Sequence, residues 1–162
     1  IIAAHIPFGV ASGTPVGWYN NDEEKALIAE LKKYPNLILW VSGHRHLNTV
    51  TAFKSSDANH PENSFWEVET KSLREFPQQF RTFDIVRNSD NTISIFTTNV
   101  DPDVKDGSFA AISRSYAIAS NQIYGLSEAP LSTGSVSYNA ELVKPLSPKM
   151  QAKIQNYGTA VK

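Results

Sequence analysis

The chain has 162 residues, 41% of them apolar, with a formal net charge of -1 and no cysteine, which suffices for one domain with a hydrophobic core. The near-neutral balance argues against a nucleic-acid surface, which needs a basic excess, and the longest apolar runs, such as 37–41, fall short of a membrane segment. Without cysteine, disulfides, thiolate ligands and a Cys nucleophile are excluded, so any metal must be held by imidazole, carboxylate, amide or water.

Ile1-Ile2-Ala3-Ala4 reads as a short buried strand running straight into His5. It has no polar lead-in, as expected of a fragment whose upstream sequence lies elsewhere, the alternative being a mature terminus left by processing. Gly and Pro punctuate a loop over 5–18. Asn20 and Asn21 followed by Asp22-Glu23-Glu24 predict a helix start, and Pro35 its end. Residues 36–42 read as one strand with a continuous apolar run at 37–41, the pattern of a strand covered on both faces, and Gly43 ends it. Strands are expected at 48–53 and 64–70, and a hairpin of 79–87 with 92–100 around Asn88-Ser89-Asp90-Asn91. A second helix fits 107–123, with Ala110, Ile112, Tyr116, Ala119 and Ile123 on its apolar side. Beyond Gly125 a long irregular stretch is expected, with one short helix at 150–157. The order predicts an α/β start attached to a mostly β remainder.

Gly43-His44-Arg45-His46 follows the buried strand directly, where sheet-based enzymes keep their ligands. Two imidazoles one residue apart can face one site if the backbone bends between them, and Gly43 suits that bend. His5 ends the preceding strand in the same way. Two strands joined by the 22–34 helix would lie side by side and bring His5, His44 and His46 to one sheet edge. A His-x-His in an arbitrary surface loop is more often only structural, so the strand-then-Gly context carries the metal reading. Bridging carboxylates are not evident near these histidines. Arg74 and Arg81 are candidates for a substrate phosphate, against the commoner surface salt bridge. Glu67 and Glu69 share one strand face, read as solvated. Trp18, Tyr19 and Trp66 read as core aromatics or as the lining of a cleft, and His60 as exposed.

Ala3-Ala4-His5-Ile6-Pro7, followed about forty residues later by Val41-Ser42-Gly43-His44-Arg45-His46, resembles the last two metal-binding motifs of the calcineurin-like metallophosphoesterase family. Residues 65–81 resemble an uncharacterised bacterial branch of it, and the resemblance covers roughly residues 1–100. It implies an α/β fold: the C-terminal half of an α/β/β/α sandwich, with a mixed β-sheet, flanking helices and an irregular tail. The whole chain, 1–162, would be a single partial domain, with a motif-bearing core at 1–100 and a helix plus tail at 101–162. His5 and His44 would hold one of two divalent ions (Mn, Fe, Zn or Ni) and His46 the other. The implied reaction is hydrolysis of a small phosphorylated substrate, a phosphomonoester or phosphodiester, by a metal-activated hydroxide. The family's earlier motifs, Asp-x-His, Gly-Asp-x-x-Asp and Gly-Asn-His-Asp/Glu, do not occur in this sequence. The missing N-terminal portion is therefore the implied partner, this chain alone is expected to be inactive, and the resemblance suggests a bacterial cytoplasm or cell envelope. The competing expectation is a non-catalytic binding or accessory domain whose His cluster holds one structural metal or none.

Overall fold

A computed structural model describes residues 1–10, 21–124 and 135–157. Trp18 and Tyr19 lie outside the described residues. The chain opens with β1 (Ile2–Ala3), α1 (Asn21–Leu31), β2 (Leu39–Ser42), β3 (Thr49–Phe53) and β4 (Phe65–Glu69). These strands form one sheet in the order β1-β2-β4-β3, with β1, β2 and β4 parallel and β3 antiparallel at the edge. A hairpin of β5 (Phe80–Arg87) and β6 (Thr92–Val100) follows, then α2 (Phe109–Ile123), β7 (Asn139–Pro145) and α3 (Pro148–Tyr157). Strands β5, β6 and β7 make a second, antiparallel sheet in that order.

Strand alternation sorts the core into two layers. Trp40 and Phe65 point to one face of the first sheet and pack with Phe8, Leu37 and Phe53 against Leu27, Ile28 and Leu31 of α1. The acids Asp22, Glu23 and Glu24 occupy the helix's first turn, where its positive end favours them. Leu39 and Val68 point the other way and meet Ile95 and Leu142 of the second sheet. The result is helix on sheet on sheet, which is why 36–42 carries no polar alternation. Trp66 also belongs to this second layer, and its indole N–H donates to the Val143 carbonyl at 3.1 Å. Among the described residues no helix is long and apolar enough to cross a membrane.

Two expectations need correcting. The stretch beyond 125 is not irregular throughout: β7 completes the second sheet, pairing with β6 from Thr98↔Asn139 to Thr92↔Pro145. Its inward row includes a lysine, which masked the strand pattern. Lys144 is buried, and its ammonium donates to the carbonyls of Glu62 and Ser64, in the loop between β3 and β4. Burial pulls its pKa down to about 8. The second helix also buries less than its pattern suggests. Of its residues only Ala117 is buried, whereas Tyr116 and Ile123 are exposed, because α2 touches the body mainly through polar contacts. Gln78 donates to the Ser113 hydroxyl, and Arg114 donates to the Pro77 carbonyl while lying over the Phe76 ring. With so little packing, α2 depends on its cap, where the Ser108 hydroxyl accepts from the Ala111 N–H. Ser108→Ala is expected to cost about 1 kcal/mol, read as faster amide exchange in the first turn of α2.

Candidate metal centre

The carboxyl ends of β1, β2 and β4 lie side by side, since the three strands are parallel neighbours. In open sheets this edge is where ligands gather. His5 leaves β1 here, and His44 leaves β2. The two segments are laced together: Ala4 N–H donates to the Val41 carbonyl, and Gly43 N–H to the His5 carbonyl, both at 3.0 Å. The imidazoles meet as a result. His5 Nε2 and His44 Nδ1 are 3.2 Å apart, and the rings stand edge to face at 5.0 Å between centroids.

The bend that allows this is not at Gly43. A Cβ at Gly43 would meet only the Thr70 carbonyl oxygen at 3.9 Å, an ordinary contact. The left-handed residues are the histidines themselves, His44 at φ 74° and His46 at φ 56°. Each such non-glycine residue costs on the order of 1 kcal/mol and persists only where its surroundings hold it.

Those surroundings are two carboxylates that the sequence reading had placed on a solvated face. Glu67 and Glu69 are 3% and 0% exposed. They share the α1 side of β4 with Phe65, and the loops leaving β1 and β2 close over them. Glu69 accepts from Arg45, at the centre of the His-x-His, through Nε at 3.1 Å and 3.2 Å and through Nη2 at 2.7 Å. It also accepts from the Arg45 backbone N–H and the Thr49 hydroxyl, both at 3.2 Å. Hydrogen bonding to Glu69 holds the guanidinium pKa above its usual value. Glu67 accepts from the Phe8 N–H at 2.9 Å and the Ser42 hydroxyl at 3.3 Å, joining the loop after His5 to the end of β2. Burial raises the Glu67 carboxyl to about 7, against the pull of those two donors. The loop after His5 has a further anchor in α1, where Glu24 accepts from the Gly9 N–H at 3.0 Å and 3.1 Å.

His46 faces a different partner. Its Nδ1 lies 2.8 Å from Glu75 Oε2, an oxygen that is buried and has no aligned hydrogen bond. Glu75 and the exposed Arg74 line one side of an open cleft of about 440 Å³, with Phe109, Ile112 and Tyr116 of α2 on the other. Arg81 lies on β5, buried, its guanidinium donating to the Thr97 hydroxyl and the Ser137 carbonyl at 2.7 Å each. Burial lowers its pKa to about 10. His60 is exposed beside Glu62, in the loop between β3 and β4.

The imidazoles fit the donor set that a divalent ion needs. Two nitrogens bound to one ion at about 2.0–2.1 Å, at angles between octahedral and tetrahedral, stand roughly 2.9–3.4 Å apart. The His5–His44 spacing of 3.2 Å falls inside that interval. His46 has its Nδ1 toward a carboxylate, the arrangement that presents Nε2 to a metal. Among the described residues no group of three or more His, Asp or Glu converges tightly enough to make a complete site. No protein-family model matches the chain, and no curated protein matches it.

Proposed function

We propose that this chain carries the histidine half of a divalent-metal centre belonging to a phosphoric ester hydrolase of the calcineurin-like type, as the C-terminal part of its layered fold. The observation that carries the reading is the 3.2 Å approach of His5 Nε2 to His44 Nδ1 at the carboxyl edge of a parallel sheet. His5 and His44 would share one ion, and His46 would offer Nε2 to the second. When bound, the ions would supply Lewis-acid neutralisation of phosphoryl charge and lower the pKa of a water nucleophile. The chain's own residues surround the ligands: Glu75 stands against the His46 ring, while Glu67 and Glu69 hold the loops that bear the imidazoles. Arg74, which lines the adjoining cleft with its Nε 3.5 Å from Glu75 Oε1, would offer N–H donors to a phosphate oxygen. The bridging carboxylate and the remaining ligands would come from an upstream portion of the protein, which leaves 1–162 by itself without turnover.

Titration of the chain with Co²⁺, followed by visible absorption and by the histidine ring resonances, tests this. The ion is expected to perturb His5 and His44 first and to leave His60 untouched. His44→Ala is expected to weaken binding by no less than the roughly 10–100-fold typical of outer-shell changes. The reading fails if Co²⁺ leaves the His5 and His44 signals where they were, since their contact is then an ordinary imidazole hydrogen bond in a non-catalytic domain. Turnover of a simple aryl phosphodiester by 1–162 would show that the centre is complete within this chain.

A further inference from the structure

We infer that Glu69, acting through Arg45, is the positioning residue that sets the two imidazoles of the His-x-His in place. Arg45 is the one residue between His44 and His46, and both of its neighbours hold left-handed backbone conformations. Two left-handed residues within three reverse the chain on either side of Arg45, a conformation that residues other than glycine hold only at a cost. The compensation is concentrated on one carboxylate. Glu69 is fully buried, and it grips Arg45 at both ends, through the side-chain fork and through the backbone N–H. The Arg45 N–H is shared with the Gly43 carbonyl at 2.9 Å, which closes the turn around His44. A two-pronged guanidinium contact fixes direction as well as distance, which a point charge does not.

The placement of Glu69 in the sheet gives this clamp its reference frame. Glu69 pairs with Ser42 of β2 on one side and Thr49 of β3 on the other, the residues that flank the loop carrying the two histidines. The Thr49 hydroxyl donates to the same carboxylate. The middle of the 43–48 loop and its far end are therefore tied to one side chain on β4, while the near end, Ser42, is held by the strand pairing itself. The loop keeps its shape without help from a ligand, so His44 reaches His5, and His46 reaches Glu75, before any ion arrives.

This inference rests on the metal reading for its purpose but not for its test. In the metal-free 162-residue chain, long-range ¹H–¹⁵N spectra resolve the four imidazoles. Glu69→Gln keeps the volume and an acceptor for the Arg45 N–H but turns an amide NH₂ toward the guanidinium. Arg45→Lys keeps the charge and removes the fork. Both variants are expected to shift the ring resonances of His44 and His46 while His60 stays fixed, and to weaken Co²⁺ binding by about 10–100-fold. If Glu69→Gln does not fold, Arg45→Lys decides, because the Arg45 side chain is 37% exposed. Unchanged His44 and His46 signals in a folded variant would overturn the inference. Should the wild-type chain bind no Co²⁺, the metal reading falls, and the imidazole spectra still judge the clamp.

Discussion

Raising the pH from about 4.5 to 7 is expected to cost the fold about 3 kcal/mol through one carboxyl, that of Glu67. The cause is burial, which disfavours the ionised form. The N–H of Phe8 and the hydroxyl of Ser42 offset it only in part, and the neighbouring Glu69 adds to it. The sign follows from proton counting. In the unfolded chain Glu67 gives up its proton near 4.5, whereas in the folded chain it keeps it to about 7. Between those values the folded state binds the extra proton, so the stabilisation is complete below the lower value and is lost as the pH rises through the upper one. Glu67→Gln mimics the protonated form and keeps an acceptor for Phe8 and Ser42. Urea unfolding of both proteins from pH 4.5 to 8 should show the variant gaining on the wild type by about 3 kcal/mol across the range. Any fixed offset from the amide drops out of that comparison. Parallel profiles would mean that Glu67 holds its proton in the fold no longer than it does in the unfolded chain.

Phe65→Ala is expected to destabilise the chain by about 3–5 kcal/mol, a large share of the 5–15 kcal/mol that holds a typical domain together. Phe65 is 2% exposed and stands at the crossing of the first core layer. Its ring stacks on Phe53 at 4.8 Å and lies 6.1 Å from Phe8, which in turn packs on Trp40 at 4.7 Å. Removing it leaves a cavity under Phe8, three residues from His5. The loss should therefore register twice, in the urea midpoint and in weaker Co²⁺ binding under conditions where the variant is still folded. A destabilisation below about 1 kcal/mol would mean that the layer closes over the gap.

Much of the frame could be read from local pattern. The apolar run at 37–41 marked β2 because both sheet faces are covered, and Asn88-Ser89-Asp90-Asn91 marked the turn between β5 and β6, where Asn91 takes φ 64°. The meeting of His5 with His44 followed from two strand ends joined by one helix. What could not be read depends on partners distant in the chain. Glu67 and Glu69 alternate with Trp66 and Val68 as the residues of a half-wet strand would. Only the pairing of β4 between β2 and β3, with loops folded over its end, turns that wet face into an interior. A usable signal was nonetheless present, since an Arg between two metal-type histidines is a natural mate for a nearby acid. Lys144 misled in the same way: its acceptors, Glu62 and Ser64, lie about eighty residues earlier. The exposed side of α2 reflects a helix whose apolar pattern has no matching surface among the described residues.

The seam between β1 and β2 has a consequence for affinity. β1 is held to β2 by the register Ile2↔Trp40 and Ala3↔Val41 and by the pair of hydrogen bonds that lace the two segments beyond it. His5 thus keeps its place through the β1–β2 seam, whereas His44 and His46 are fixed from β4. Each excursion of β1 away from β2 removes one ligand, so the apparent dissociation constant is the intrinsic one divided by the fraction of time that the strand is docked. The debt runs both ways. An ion held by His5 and His44 acts as a rivet across the β1–β2 seam, and amide exchange at Ala4 and Gly43 should slow in proportion to its occupancy.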